Sequence, residues 1–314
     1  MNILITGGSG FLGRNLGKKL SNKNKVFLGS RNNNINRQVE EITHLETLPL
    51  DVTNINSVKD VINYSKPEII IHAAATKYVD LSEKNPNECI DTNVLGSQNI
   101  ARVAIDKNIK SVIGISTDKA SPPCTNIYGI SKSIMEKLFC NLANNHKTKF
   151  VCVRFGNIVW STGSIFPLWN DMMIKNNKIY STGPEMRRFF FTVDDASELV
   201  ISAIKNKNFL NGKILIPEMK SAQIEDILIE WCKIYKTKWV KSKGRKGDKI
   251  DENLVSESEI KNAQYYNIKN KKYIVLDFKS KNQKDIRKEI NSKNAKKLGS
   301  SEIRKLILSY KNNV

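Results

Sequence analysis

The first thirteen residues constrain this chain more than any others. Met1 is followed by Asn-Ile-Leu-Ile-Thr6, a short apolar run of β-forming residues, and then by glycines at 7, 8, 10 and 13. An amphipathic stretch from Leu12 to Leu20 comes next. The order reads strand, tight turn, helix. Glycines in such a turn let a pyrophosphate come closer to the backbone than a Cβ would allow, and the helix start offers free N–H groups and positive dipole. Here Gly8-Ser-Gly10-Phe-Leu-Gly13 lies between an expected strand and an expected helix, the context a dinucleotide site requires. Gly7, Gly10, Phe11, Leu12 and Gly13 are therefore expected at a dinucleotide cofactor.

The following segments alternate. Lys25 to Ser30 reads as a second strand, with Arg31 directly after it. The residue closing that strand meets the adenosine ribose, where an acid suits a 2′-hydroxyl and a base suits a 2′-phosphate. Ser30 and Arg31 therefore point to NADP. A third short strand ends in Asp51-Val52, and residues 58–65 read as a helix. Glu68 to Ala75 has the unbroken apolar run of a buried parallel strand. It ends in Ala73, Ala74 and Ala75, small enough for a cofactor to lie over them. A long helix is expected over 88–107, a strand over 111–116 and a helix from near Tyr128 to about Asn145. Such alternation predicts an α/β fold: a Rossmann-type doubly wound parallel sheet with a smaller C-terminal α/β substrate-binding domain. The cofactor domain is expected over 1–160 with a return segment near 189–215, and the second domain over 161–188 and 216–314.

Composition narrows the class. The 314 residues are 40% hydrophobic, ample for a sizeable core. No run approaches the ~18 apolar residues of a membrane span, and the first strand leaves no room for a leader, so a cytoplasmic protein without a membrane partner is expected. Five scattered cysteines without a Cys-x-x-Cys pair read as reduced thiols, and three separated histidines argue against a metal site. The net charge of +20 comes from lysines spread along the chain beside many asparagines. No basic stretch is interleaved with aromatics, so nucleic acid is not an expected partner.

Ligands of doubly wound sheets sit beyond the carboxyl ends of the strands, which directs attention to Ser116-Thr-Asp118-Lys119 and the segment after it. Tyr128 and Lys132 lie four apart, so they share a helix face. A phenol at its ordinary pKa near ~10 is a poor base. A nearby ammonium and a nicotinamide charge favour the phenolate, which can then take a hydroxyl proton while hydride leaves the same carbon.

These residues resemble the extended short-chain dehydrogenase/reductase superfamily. Within it, Ser116-Thr-Asp-Lys-Ala120 and Asn126-x-Tyr-Gly-x-Ser-Lys132 are similar to the nucleotide-sugar 4,6-dehydratases acting on UDP-N-acetylglucosamine, of the polysaccharide biosynthesis type. Further matches are His72-Ala-Ala-Ala-x-Lys77, Thr92-Asn93-x-x-Gly96, Arg154-Phe-Gly-Asn157, Gly163-Ser164-x-x-Pro167, Met186-Arg-Arg188-Phe and Gly244-Arg245-x-Gly-Asp-Lys-x-Asp-Glu252. Lys246 replaces the proline usual in the last of these. The tyrosine at 128 in a short chain is similar to the inverting branch.

The resemblance implies a tightly bound, recycled NADP and a UDP-sugar substrate. Tyr128 would take the 4-hydroxyl proton, with Thr117 bonded to that position and Lys132 beside it. Lys119 would remove the C5 proton as a neutral amine, its pKa lowered by the nicotinamide cation or by Lys132. Asp118 would protonate the departing 6-hydroxyl. Asp51, Val52, Lys77 and Asn93 are implied at the cofactor, with Tyr128 and Lys132. Lys77, Asn157, Ser164, Pro167, Arg188, Arg245 and Glu252 are implied at the substrate, with Arg187 competing for the role of Arg188. A homo-oligomer, dimer or hexamer, is implied as well. A retaining dehydratase, a 4-epimerase and a non-catalytic NADP-binding sensor stay open as alternatives. Val193-Asp194-Asp195 is expected to open a helix capped by one of the aspartates, and Trp231 and Trp239 to be packing residues.

Overall fold

The computed structural model describes residues 1–244, 247–280 and 285–309. Its centre is one nine-stranded sheet. In chain order the strands are β1 (Asn2–Thr6), β2 (Lys25–Ser30), β3 (Thr47–Pro49), β4 (Ile69–His72), β5 (Ser111–Ile115), β6 (Lys149–Val153), β7 (Ile214–Pro217), β8 (Ala263–Ile268) and β9 (Lys271–Leu276). Their spatial order is β8-β9-β7-β6-β5-β4-β1-β2-β3. Every pair from β3 to β7 is parallel, whereas β9 runs antiparallel to β7 and β8 antiparallel to β9. The expected doubly wound α/β sheet is thus present. The centre of β1 and β4 is fully buried, with Ile3, Leu4, Ile5 and Ile70 at 0% exposure. Burying each such side chain contributes about 1.5–3 kcal/mol.

The hairpin over 263–276 departs from the expected division of the chain. It joins the central sheet through β7, by pairing Ile214 with Leu276 and Ile216 with Ile274. Its lysines hid it: Lys271 and Lys272 are exposed at the start of β9, while Tyr273 to Leu276 are buried. The third strand also ends earlier than expected, at Pro49, because the Asp51 carboxylate closes a turn on the N–H and hydroxyl of Thr53.

Outside the sheet, the described residues among 157–191, 220–262 and 285–309 build a smaller lobe. A three-stranded sheet pairs Arg187–Phe191 with Asn157–Ile158 and with Lys220–Gln223. Trp231 is fully buried against Phe166, Trp169 and Trp160, so its packing role holds. The helix Val193–Lys205 is capped by Thr192 rather than by an aspartate, and Asp195 returns the bond to the Thr192 N–H. No helix among the described residues is long and apolar enough to cross a membrane.

Candidate active site

The site begins where β1 turns into helix α1 (Phe11–Ser21). Gly7 has φ of +66°, and a Cβ there would lie 2.7 Å from the Ala74 nitrogen, so glycine is required on both counts. Gly10 caps α1 without a side-chain bond, and the first turn carries no acid. Its uncapped N–H groups border a cavity of about 360 Å3 lined by Gly7, Gly10, Phe11, Leu12, Gly13, Ala73, Ala74 and Ala75. An anionic pyrophosphate fits such a helix start, so these residues suit a dinucleotide.

The far wall of this cavity is the turn after β5 and the helix α2 (Ile127–Leu142). Asn126 caps α2 by accepting from the Gly129 N–H at 2.8 Å. A Cβ at Gly129 would stand 2.3 Å from the Lys119 carbonyl oxygen, so glycine lets the helix seat directly against the 118–120 turn. Tyr128, Lys132, Thr117 and Lys119 line the wall together.

A second cavity, about 220 Å3, opens in the smaller lobe and is lined by Arg188, Tyr180, Thr182, Asp248 and Phe166 among others. Lys77, Lys119, Asn157, Ile158 and Ser164 line both cavities. Lys77 is held there by donating to the Thr162 carbonyl at 2.6 Å, and Asn157 by donating to the Phe189 carbonyl at 3.3 Å. The Ser164 hydroxyl is buried without a hydrogen-bond partner.

At the junction, Lys119 Nζ donates to Asp118 Oδ1 at 3.0 Å and lies 3.3 Å from Glu252 Oε1. Thr117 Oγ1 donates to the same Asp118 oxygen at 3.0 Å. Burial alone disfavours a charged Lys119, and so does Arg188, but the Asp118 and Glu252 carboxylates outweigh both and raise its pKa. The protein itself therefore holds Lys119 as a cation, contrary to the lowering expected from positive neighbours. Spacing could not reveal that Glu252, expected at the substrate, pairs with Lys119, because it arrives from a distant segment.

Burial also pushes the Tyr128 phenol up to about 12, while the Lys119 charge and the Thr117 hydroxyl pull it down. The ammonium that lowers the Tyr128 phenol is Lys119, while Lys132, expected beside it from the helix spacing, lines the same cavity wall. Lys132 is buried, donates to Met135 Sδ at 3.3 Å and has its pKa lowered to about 8 by that burial.

The other expected residues divide. Arg188 borders the second cavity while its guanidinium donates to the Lys249 and Ile250 carbonyls at 2.8 and 3.2 Å. Arg187 is committed elsewhere, with two bonds to Asp251 at 2.7 and 2.6 Å, which favours Arg188 of the two. Ser30 and Arg31 stand at the end of β2, beside the glycine turn through Gly8 N–H to the Gly29 carbonyl, and Arg31 pairs with Glu88 at 3.6 Å. Neither lines the two cavities. Pro167 lies in the first turn of the helix Ile165–Asn176, one residue behind the lining Phe166.

Four residues sit behind the walls. Asp51 is spent on Thr53, and Val52 packs where a Gly96 Cβ would meet it at 2.7 Å. Asn93 is fully buried in a π-helical turn, Asp91–Leu95, and bonds both the N–H and the carbonyl of Thr76, strapping the loop that carries Lys77. Glu252, 2% exposed, reaches the site only through Lys119. Arg245 lies outside the described residues. Ser161 and Asp248 line the cavities without having been expected; Asp248 lay within the 244–252 motif, whereas nothing in the local pattern marks Ser161.

A protein-family profile described as "Polysaccharide biosynthesis protein" matches residues 3–272. The chain belongs to that family. Among relatives of this family member, a Campylobacter jejuni UDP-N-acetylglucosamine 4,6-dehydratase (inverting) is 35% identical over 72% of the chain and 69% of its own length. A Rickettsia bellii UDP-glucose 4-epimerase is 32% identical over 82% of the chain and 78% of its own. A Staphylococcus aureus capsular polysaccharide biosynthesis protein is 34% identical over 84% of the chain, but the chain spans only 46% of that relative's length. The solved structure of Pen from Bacillus thuringiensis superposes with a TM-score of 0.89 at 29% identity, over 98% of this chain and 97% of that one.

Proposed function

We propose that this family member is a nucleotide-sugar-modifying enzyme of the dehydratase and epimerase class, and specifically a UDP-N-acetylglucosamine 4,6-dehydratase that inverts C5. The observation that carries the reading is Lys119, which lines both cavities and is paired with the buried Asp118. A dehydratase needs a base for C5 and an acid for the 6-hydroxyl at one place; an epimerase needs neither. The similarity to the C. jejuni dehydratase supports the same reading.

Gly7 to Gly13 would hold the dinucleotide, which when bound would supply a hydride acceptor and donor. The chain's own residues do the proton work. Tyr128, as the phenolate that its burial permits only beside a positive charge, takes the proton of the 4-hydroxyl. Lys119 then takes the C5 proton, acidified by the 4-ketone. Asp118 protonates the departing 6-hydroxyl, and water leaves. Arg188 and Lys77 hold the diphosphate through charge-assisted bonds. Arg31 favours NADP; its replacement by Ala should weaken NADP about 10-fold or more and leave NAD nearly unchanged, the cost of one charge-assisted bond.

Incubating the purified protein with UDP-N-acetylglucosamine and no added cofactor should yield a 4-keto-6-deoxy sugar. In D2O, NMR of the product should show deuterium at C5 with inverted configuration. Retained configuration would replace the inverting branch by the retaining one. The 4-epimerase reading, favoured by the R. bellii similarity, predicts a UDP-hexosamine product that gives no 4-keto-6-deoxy chromophore with alkali.

A further inference from the structure

Lys119 is held by two carboxylates from different parts of the chain. Asp118 is its neighbour at 3.0 Å, and Glu252 reaches it at 3.3 Å from the far side of the 247–252 segment. Both are buried, at 1% and 2% exposure, and each keeps one oxygen, Asp118 Oδ2 and Glu252 Oε2, with no hydrogen-bond partner. An anionic oxygen is costly to keep in that state. The segment delivering Glu252 is fixed at several points. The Glu252 N–H donates to Ser292 Oγ at 3.0 Å, and its carbonyl accepts from the Ser292 N–H at 2.9 Å. Asp251 takes both arms of Arg187, and Arg188 donates to the two carbonyls before it. A glutamate that contacts a sugar has to border the cavity, and Glu252 does not; Lys119 borders both cavities.

We propose that Glu252 is a positioning residue that acts through Lys119: it fixes the ammonium at the junction of the two cavities and sets how readily that group gives up its proton. The proposal rests on the dehydratase reading only for the part Lys119 plays in the reaction. Before Lys119 can act as a base it must lose a proton, and Asp118 Oδ1 is the nearer acceptor. The Nζ–H bond breaks and an O–H bond forms, leaving a neutral amine and a neutral acid. In the elimination, Nζ gains the C5 proton and Asp118 gives its proton to the departing hydroxyl, so the ion pair is restored and water is released. Glu252 stays a carboxylate throughout. It opposes the first transfer and favours the second.

Other charges also face Lys119: Arg188 from the strand Arg187–Phe191 and Tyr128 from α2, with Lys77 and Lys132 on the wall of the same cavity and Asp248 on the wall of the second. Of these Arg188 disfavours the ammonium, so Glu252 and Asp118 together hold it.

The test is competitive acetylation of the protein as purified, without substrate, with limiting acetic anhydride across pH, reading the peptide that contains Lys119 by mass spectrometry. Glu252→Gln should move the midpoint of Lys119 reactivity down by about one pH unit, the loss of one close opposite charge. Glu252→Asp should restore part of it. With UDP-N-acetylglucosamine, the limb of kcat that rises with pH should move the same way, and KM should change less than about threefold. An unmoved midpoint with KM raised tenfold would make Glu252 a substrate contact and overturn the proposal. An unmoved midpoint with unmoved kinetics would overturn it equally. Failure of the unaltered protein to turn over the sugar would instead count against the dehydratase reading, because the acetylation midpoint is measured without substrate.

Discussion

Two buried ion clusters lie a few residues apart in this chain, and one is closed while the other is open. In the first, Arg154 is fully buried and all its N–H groups are used: on Glu136 at 2.9 and 2.7 Å, on Glu259 at 2.9 and 2.8 Å, and on the Leu254 carbonyl at 2.9 Å. Ser116 donates to Glu136 and Ser121 to Glu259, each at 2.6 Å. In the second, Lys119 meets Asp118 and Glu252, and two carboxylate oxygens go unpartnered. The closed cluster clamps both ends of the 116–121 turn; the open one sits in the middle of that turn and faces the cavities. A satisfied network rigidifies its surroundings, and an unsatisfied one is kept where a ligand is to complete it. Stability should therefore depend on the first and activity on the second.

The largest effect should come from the open cluster. Lys119→Ala should cut formation of the 4-keto-6-deoxy sugar by about 10²–10⁴, the worth of one general base. Hydride transfer from C4 should slow as well, because the Lys119 charge favours the Tyr128 phenolate, and what remains should show as reduced nicotinamide absorbance without loss of water. The unfolding temperature should fall less than on loss of Arg154, because Lys119 borders both cavities and its removal opens Asp118 and Glu252 toward them. Normal product formation in this variant would remove Lys119 from the mechanism.

Next in size is the closed cluster. Arg154→Met leaves Glu136 and Glu259 buried and unpaired, which should cost about 3–5 kcal/mol by denaturant unfolding. The comparison breaks if Arg154→Met leaves stability unchanged, or if Lys119→Ala destabilises as much.

The contrast also marks what the residues reveal in advance. The glycine turn, the alternation of strands and helices and the Tyr128–Lys132 face were legible because each depends on spacing within a few residues. Asp118 and Lys119 were legible from motif resemblance. The pairing of Lys119 with Glu252 was not, nor the Arg154 clamp, since both depend on segments brought together only by the whole fold. The same reason hid the hairpin over 263–276, whose exposed lysines mask strands that complete the central sheet. Asn93 was read as a cofactor contact because its motif adjoins the site; its amide instead straps the neighbouring loop.

Gly129→Ala should separate the clusters more gently. The added Cβ meets the Lys119 carbonyl, so α2 has to shift against the 118–120 turn, and the three atoms nearest that Cβ belong to Lys119 and Asn126 rather than to the Arg154 clamp. Such overpacking costs about 1–3 kcal/mol. Activity should fall more than this loss of stability explains, with Tyr128 and Lys119 displaced together. Equal activity with reduced stability would mean that their mutual placement tolerates the shift.

The smallest effect concerns a closed site that holds no charge. His72 is fully buried, bonded to Thr6 at 2.8 Å and to Ser97 at 3.0 Å, and burial, helped by the Lys132 charge, lowers its pKa from 6.5 to about 3. The folded state thus keeps His72 neutral in the range where the unfolded chain binds a proton. Stability from this group is full above about pH 6.5 and drains away as pH falls toward 3. By about pH 5.5 the loss should reach roughly 1.4 kcal/mol, one pH unit of linkage. His72→Asn cannot take up that proton, so the stability gap between it and the unaltered protein should narrow by that amount between about pH 7 and 5.5. A gap that stays constant would mean His72 is protonated in the fold, and a closed site would then hold a charge that its two hydroxyl partners do not balance.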